Sequence, residues 1–476
     1  MSSPLPLAGP ALRPPGPTLL ARYGEWLRTH AAAVRAMQWA VVAAYAALLV
    51  VPASLPLPPD EARALDNVTV FAQWAFWGLW WPLVILSMLV AGRTWCGVLC
   101  PEGTLTEAAS RVGLGRPTPR WLKWAGWPFV AFALTTVYGQ LVSVYQYPKA
   151  ALLVLGGSTL AAIAVGFLFG RDKRVWCRHL CPVNGVFGLL SRLAPVHFQV
   201  DRAAWSRNAG HMAIHPVNCA PMVRIRRMTG NPECHMCGRC SGHLAAVELA
   251  ARSPVREILS IEPQAASRWD AMLIVVGLIG ISIGAFQWSA SPWLVQAKVA
   301  ATEWIVANGP AWLLESNAPW WLLTHYPDAN DVFTWLDGVL VVGYIALTAT
   351  VLSAGVFALL ALAVRVLPAP RAPQLWRLCY ALVPLAGLGV FLGLTSLTAT
   401  LAKAEGARLA WLPFARGVVL AAGSAWSLAL AWRMLAPAGT RPRRATGIAC
   451  VALAIALVAA AWSMLFFGIW PLGSTR

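Results

Sequence analysis

Charge is scarce in this sequence. Only 12% of its 476 residues are Asp, Glu, Lys or Arg, against about 25% in ordinary soluble domains. A water-soluble fold so poor in charge lacks the polar surface to cover itself. The 58% hydrophobic content and recurring long uncharged runs point instead to a chain that crosses a membrane several times. Acidic residues are scarcer still, 19 against 37 Lys and Arg. No secretory signal is expected, because residues 1–17 hold six prolines and one charge, with no early apolar core. A disulfide-rich secreted domain, a collagen-like repeat and global disorder are excluded by composition. No C-x-x-C-H haem-attachment motif, Gly-rich phosphate loop or dinucleotide fingerprint occurs, so direct NAD(P)H oxidation is not expected.

What is present is a series of nine apolar runs of spanning length, near Met37–Leu57, Ala72–Ala91, Trp121–Val142, Ala151–Gly170, Trp269–Trp288, Gly338–Leu367, Trp376–Leu397, Ala410–Leu435 and Thr446–Trp470. The expected fold class is an all-α polytopic membrane protein of about nine transmembrane helices. A small cytoplasmic segment lies between the fourth and fifth. Before the first span, Leu19, Leu20, Tyr23, Trp26 and Leu27 recur at helical spacing among arginines. That pattern suits an interfacial helix, with a solvated tail as the alternative.

Thirty of the thirty-seven Lys and Arg fall in alternate connections: the N-terminal tail, Arg93–Lys123, Arg171–Arg268, Arg365–Arg377 and Arg433–Arg444. By the positive-inside rule these are cytoplasmic, the N-terminus with them, and nine spans put the C-terminus outside. The basic excess is then topology, and nucleic acid is not an expected partner. The expected partners are membrane lipid and redox proteins. The loop near 289–337 falls outside, is Trp-rich and is expected along the outer surface. The eight histidines (His30, His179, His197, His211, His215, His235, His243 and His325) all lie outside the spans, so a transmembrane haem is not expected. Arg416 is the one charge inside a span away from a cytoplasmic end, which disfavours ion-coupled transport.

Of ten cysteines, Cys379 and Cys450 lie within spans and read as small hydrophobes. The other eight fall in expected cytoplasmic segments, where a reducing compartment disfavours disulfides and favours metal or redox chemistry. Cys234-His-Met-Cys237-Gly-Arg-Cys240 is a C-x2-C-x2-C run that lets one turn present three thiolates to a cubane iron–sulfur cluster. A fourth Cys-Pro does not follow, so the nearest fourth ligand is Cys219. A tetrahedral zinc site with four cysteine ligands is the competing reading. His235 and His243 are expected beside the ligands or in solvent.

Two copies of C-x3-C-P follow, Cys96-Gly-Val-Leu-Cys100-Pro101 and Cys177-Arg-His-Leu-Cys181-Pro182. At an offset of 81 residues Arg93 aligns with Arg174, Trp95 with Trp176, Leu99 with Leu180, Ser110 with Ser191 and Arg111 with Arg192. Each copy follows a pair of spans, so both emerge on one face about a pseudo-two-fold axis along the membrane normal. The four cysteines could then supply one ligand set for a second cluster. Each proline would open a helix, and Val183, Val186, Phe187, Leu190 and Leu193 would form the apolar side of a surface lid. A transient thiol pair, and mixed ligation between the two groups, remain open. Arg93, Arg174, Arg178 and Arg239 could favour the reduced state or dock an acidic donor.

These motifs resemble the membrane polyferredoxins of the NapH/NosR/CcoG type, over roughly residues 70–262. The resemblance implies electron transfer between the membrane and partner redox proteins through [4Fe–4S] clusters. A similar group, the FtrD-like proteins, accompanies iron-uptake permeases. It also implies a bacterial cytoplasmic (inner) membrane location. The sequence departs from the pattern in three respects. It has no NosR-type flavin domain before the first span and only one C-x2-C-x2-C run, and the family motifs leave five C-terminal spans unexplained. The organisation expected is a tail at 1–36, membrane repeats at 37–195, a ferredoxin-like segment at 196–267 and five spans at 268–476. Two cluster sites are expected, Cys219, Cys234, Cys237 and Cys240 for one, Cys96, Cys100, Cys177 and Cys181 for the other. A quinone among the spans is a further expectation that no motif carries. A metal-handling assembly factor and a thiol redox sensor are the alternatives of different class.

Overall fold

The computed structural model describes residues 18–470 except 60, 210–215 and 369–370. The tail 1–17, His211, His215 and the C-terminal residues 471–476 lie outside the described residues.

The chain is an all-α polytopic membrane protein. Among the described residues eight helices are long and apolar enough to cross a membrane: Ala31–Ser54, Val68–Ala91, Pro148–Phe169, Arg268–Ala290, Trp335–Val366, Ala372–Ala404, Leu412–Met434 and Arg441–Phe467. The expected run Trp121–Val142 folds differently. It opens with a tight turn at Trp121–Lys123, and its helix, Trp127–Leu141, has 15 residues, about 22 Å of rise. Pro128 sets its first turn and Ser143, at φ 50°, turns the chain away after its last.

This short helix nevertheless runs alongside the full Arg268–Ala290 span. Trp124 packs edge-on to Trp269 at one end, and Trp288 donates to Gln140 Oε1 at 2.7 Å near the other. Contacts between connections sort them into two faces. On one face, Thr324 donates to the Leu141 carbonyl, Tyr147 donates to Asp331, and the Ala64 amide donates to Glu405. On the other, Arg377 gathers the carbonyls of Leu259, Ile261 and Met434. Both C-x3-C-P motifs lie on this second face.

Their two units cross-brace each other. Arg93 Nη2 donates to Asn184 Oδ1 at 2.7 Å, and Arg174 Nη1 donates to the Cys96 carbonyl at 2.5 Å. Each of the repeat-related arginines therefore reaches into the other unit. Each bracing side chain is almost wholly buried, Arg93 at 2% and Arg174 at 1% exposure.

The helix Asn184–Ser191 is not a surface lid. Val186, Phe187, Leu189, Leu190 and Leu193 are all buried, in the same core as Val84, Met88, Leu273 and Leu385. Leucines on more than one side of a short helix make it a core element joining the repeats to the C-terminal spans.

The segment after it contains a two-stranded antiparallel sheet, β1 Val196–Val200 and β2 Val247–Ala251, with Phe198 opposite Leu249. Alternation along each strand turns Phe198, Val247 and Leu249 inward, where they meet Cys234 and Met236. The helix Leu19–Thr29 forms where its periodicity placed it, capped by Thr18. Its buried face packs on protein: Gly24 approaches Leu249 and Phe198, and Leu27 approaches Gly238. Its other side leaves Leu19, Tyr23 and Trp26 exposed.

Candidate functional site

The first motif begins where Val68–Ala91 stops at Gly92, whose φ of +61° breaks the helix. A widened helical turn, Trp95–Leu99, carries Cys96. Cys100 then leaves in an extended conformation and caps the helix Pro101–Arg111, its Sγ accepting from the Gly103 amide at 3.4 Å. The second motif differs locally. Cys177 sits in the short helix Val175–His179, and Pro182 precedes a helix that starts only at Asn184. The proline opens a helix in the first copy alone, because in the second a turn intervenes.

Cys96, Cys100, Cys177 and Cys181 line one cavity of about 230 Å³. Burial pushes the Cys177 thiol up to about 12, and the charges of Cys96 and Glu102 add to it. Burial also raises Cys100 and Cys181, with the neighbouring Cys177 and Cys96 adding to Cys100, and Glu102 and then Cys177 adding to Cys181. From these cysteines the cavity continues past Trp80, Trp81 and Phe132 to Gln140, Val144 and Tyr145, which lie towards the opposite face.

The second group forms on turns. Met236 at φ 51° and Gly238 at φ 76° curl the run so that Cys234, Cys237 and Cys240 share a neighbourhood. Cys219 joins them from its own turn, its Sγ accepting from the Val223 amide at 3.3 Å. Burial pushes Cys234 up to about 12, with Cys237 and Cys219 contributing; Cys240 is raised further by the same causes. All ten cysteines are free thiols. Thus Cys96, Cys100, Cys177 and Cys181 line one cavity, and Cys219, Cys234, Cys237 and Cys240 lie within electrostatic reach of one another.

The two groups stand back to back. A methyl group on Gly97 would lie 2.1 Å from the His235 carbonyl oxygen and 2.9 Å from the Cys237 nitrogen, so the two ligand loops touch through backbone. Arg174 lies between them, within electrostatic reach of Cys177 and Cys237. Glu107 accepts from Arg174 Nε at 2.8 Å and from Arg239 Nη2 at 2.6 Å. Burial alone would raise the Glu107 pKa, but these two guanidiniums override it and hold the carboxyl below its usual value.

This environment fits an iron–sulfur cluster. Buried and half-buried thiols facing one another disfavour their own ionisation, and a metal centre would remove that cost by neutralising them. His235 Nδ1 and Arg93 Nε are buried without hydrogen-bond partners, and both residues line the cavity beside the cysteines. Such orphaned donors suit sulfur acceptors. Among the described residues no three His, Cys, Asp or Glu side chains converge tightly enough to share a single metal ion.

Several contributors were not visible in the sequence. Glu102 accepts from Ser158 at 2.7 Å and from Trp176 Nε1 at 3.0 Å; burial raises its pKa and these bonds partly offset the rise. Glu107, Asn184 and the aromatic cavity wall were equally hidden. The offset of 81 residues carries part of this signal, since Arg93, Arg174 and Trp176 all belong to it. The four arginines expected to dock a donor are differently employed. Arg93 and Arg174 are internal braces, Arg178 pairs with Glu233 at 2.6 Å, and Arg239 pairs with Glu107.

A 4Fe–4S binding domain family matches residues 73–125 and 152–200, one match over each motif. The chain is 25% identical over 227 residues to the Escherichia coli protein YccM, named for electron transport, covering 42% of this chain and 62% of that one. It is 27% identical over 140 residues to the methylamine utilization ferredoxin-type protein MauN of Methylorubrum extorquens, covering 27% of this chain and 48% of the relative. Against the ferredoxin-type protein NapH of Haemophilus influenzae it is 26% identical over 181 residues, 33% of this chain and 61% of that one. The chain therefore spans about half to three-fifths of the length of these curated relatives. No solved structure matches it. Paired 4Fe–4S domain matches, each on a C-x3-C-P motif in a multi-pass membrane fold, make this chain similar to ferredoxin-type electron-transport proteins such as MauN and NapH.

Proposed function

We propose that this chain passes electrons between a redox partner protein and the membrane quinone pool, through two [4Fe–4S] clusters. Cys219, Cys234, Cys237 and Cys240 would hold one cluster, and Cys96, Cys100, Cys177 and Cys181 the other. A bound cluster supplies reversible one-electron chemistry. The residues of the chain do the rest. The backbone contact at Gly97 keeps the two ligand groups adjacent, and Arg174 places a fixed positive charge between them. His235 and Arg93 offer buried donors that would tune the adjoining group.

The observation that carries the reading is the back-to-back packing of two cysteine quartets, the first of which lines an aromatic-walled cavity. The cavity is apolar, passes through membrane depth and offers Trp81 Nε1 as a buried donor without a partner. That combination suits a flat, lipophilic headgroup with carbonyl acceptors. The charge distribution supports a cytoplasmic position for the cysteine face, with the N-terminus inside and the C-terminus outside, in a bacterial cytoplasmic membrane. Residues 37–195 would then form the membrane repeats, 196–267 the ferredoxin-like segment and 268–476 a five-span platform.

Redox titration of anaerobically purified protein tests the reading. Two electron paramagnetic resonance signals of the [4Fe–4S] type should appear on reduction, and a quinone analogue should perturb the signal lost in a Cys100→Ala, Cys181→Ala variant. Zinc without sulfide would instead support the metal-handling alternative. Cysteines that are alkylated according to redox state, without iron, would support the thiol sensor.

A further inference from the structure

The second cysteine group reaches the protein surface at Cys219, which is half-buried in the floor of a cleft of about 520 Å³. Arg224, Arg226 and Arg227 form one wall and Lys173 stands opposite. The three arginines are exposed. Arg226 donates to Ser206 at 3.2 Å and Lys173 to Asn218 at 2.6 Å, and among the described residues none of the four is in an ion pair. The same arginine ridge, through Arg224 and Arg227, also edges a neighbouring cleft that contains acidic residues. There most of the negative charges are already engaged, Glu233 by Arg178, Glu257 by Arg192 and Arg252, and Asp270 by Arg192, while Glu262 stays exposed without an ion pair among the described residues. Four cations without an ion pair thus line the cleft that contains Cys219.

We propose that this ridge and cleft dock a water-soluble, acidic one-electron carrier. The inference rests on the reading of Cys219 as part of a redox quartet. On docking, a reduced carrier would give one electron to, or an oxidised carrier take one from, a cluster held by the quartet, and no covalent bond forms or breaks. Positive-inside topology explains why the face is basic, but not why four of its cations line the cleft that contains Cys219. A bilayer surface is the competing occupant of a basic patch. Segments that lie on membranes carry apolar anchors beside their charges, yet none of the described residues from 171 to 267 is an exposed large hydrophobic. The surface is suited to a partner held by charge and polar contacts, with a rate of encounter governed by ionic strength.

The test uses the full-length protein in detergent with flavodoxin as the acidic probe and methyl viologen as a small donor that needs no docking surface. Calorimetric titration of oxidised flavodoxin should show binding that weakens at least about tenfold between about 0.05 M and about 0.5 M salt. A triple variant, Arg224→Glu, Arg226→Glu and Arg227→Glu, should weaken binding at least about tenfold at low salt. The corresponding triple Gln variant should fall between. Reduction by photoreduced flavodoxin should slow in parallel, while reduction by methyl viologen and the thermal midpoint stay unchanged. Flavodoxin binding indifferent to the triple Glu variant refutes the surface. So does a variant whose one defect is loss of binding to phosphatidylglycerol vesicles, which assigns the ridge to lipid. Wild-type protein that methyl viologen cannot reduce refutes the redox reading itself, and the docking role falls with it.

Discussion

Arg174 donates through Nε to Glu107 at 2.8 Å while its Nη1 holds the carbonyl of Cys96. The pair is buried, with side-chain exposures of 2% and 7%. Removing one member of such a pair strands the other charge in a poorly solvated site, at a cost of about 3–5 kcal/mol. Glu107→Ala is therefore expected to lower the thermal midpoint sharply in detergent. Arg239→Ala removes a partner that is 32% exposed and should cost about 1 kcal/mol or less. Scanning fluorimetry of the two variants side by side checks the order.

Gly97 is the contact between the two ligand loops. Gly97→Ala would drive a methyl group into the His235 carbonyl, backbone that cannot move aside without displacing Cys234 and Cys237. The expected result is loss of iron from the Cys234 group and a lower thermal midpoint. Gly157→Ala, with nothing within 4 Å of the added methyl, should be neutral or slightly stabilising, since alanine is favoured in helices by about 1 kcal/mol. Iron content per chain separates the two.

The N-terminal helix covers the second group by seating Leu27, 4% exposed, against Gly238. Leu27→Ala should cost about 2–5 kcal/mol of local packing. Amide exchange in Leu19–Thr29 and the rate of oxygen damage should both rise. An unchanged exchange profile would show that this contact does not hold the helix in place.

His197, on β1, gives an acid-side prediction. Burial, with Arg252 and Arg256 adding to it, lowers its pKa to about 4 from an ordinary value of 6.5. The unfolded chain then binds a proton before the folded one does. Stability contributed by neutral His197 is full above about 6.5 and is lost as pH falls towards 4. His197→Gln should flatten the fall in thermal midpoint across that window.

Much of the candidate site was legible in the sequence because its cysteines recur at particular spacings. C-x2-C-x2-C and C-x3-C-P name their cysteines directly, and the 81-residue offset placed both C-x3-C-P copies on one face. What escaped depends on tertiary contacts that no local pattern encodes. The apolar side of Asn184–Ser191 looked like a surface lid, since sequence cannot show that spans from the C-terminal half cover its remaining sides. The uniform apolar run Trp121–Val142 hid the break before Trp127. The pairing of β1 with β2 joins residues about fifty apart, and periodicity within either strand is too short to announce it. Arginines beside the cysteines suggested docking, but two of them are buried braces. The exposed basic ridge lies instead at Arg224–Arg227.

The central claim is that the two cysteine quartets each hold a cubane cluster, and iron, zinc and acid-labile sulfide per chain test it most directly. Anaerobically purified protein in detergent should contain about eight iron and about eight sulfide, the content of two [4Fe–4S] clusters. Cys234→Ala and Cys177→Ala should each remove about half. Zinc without sulfide, or iron untouched by either substitution, would contradict the account.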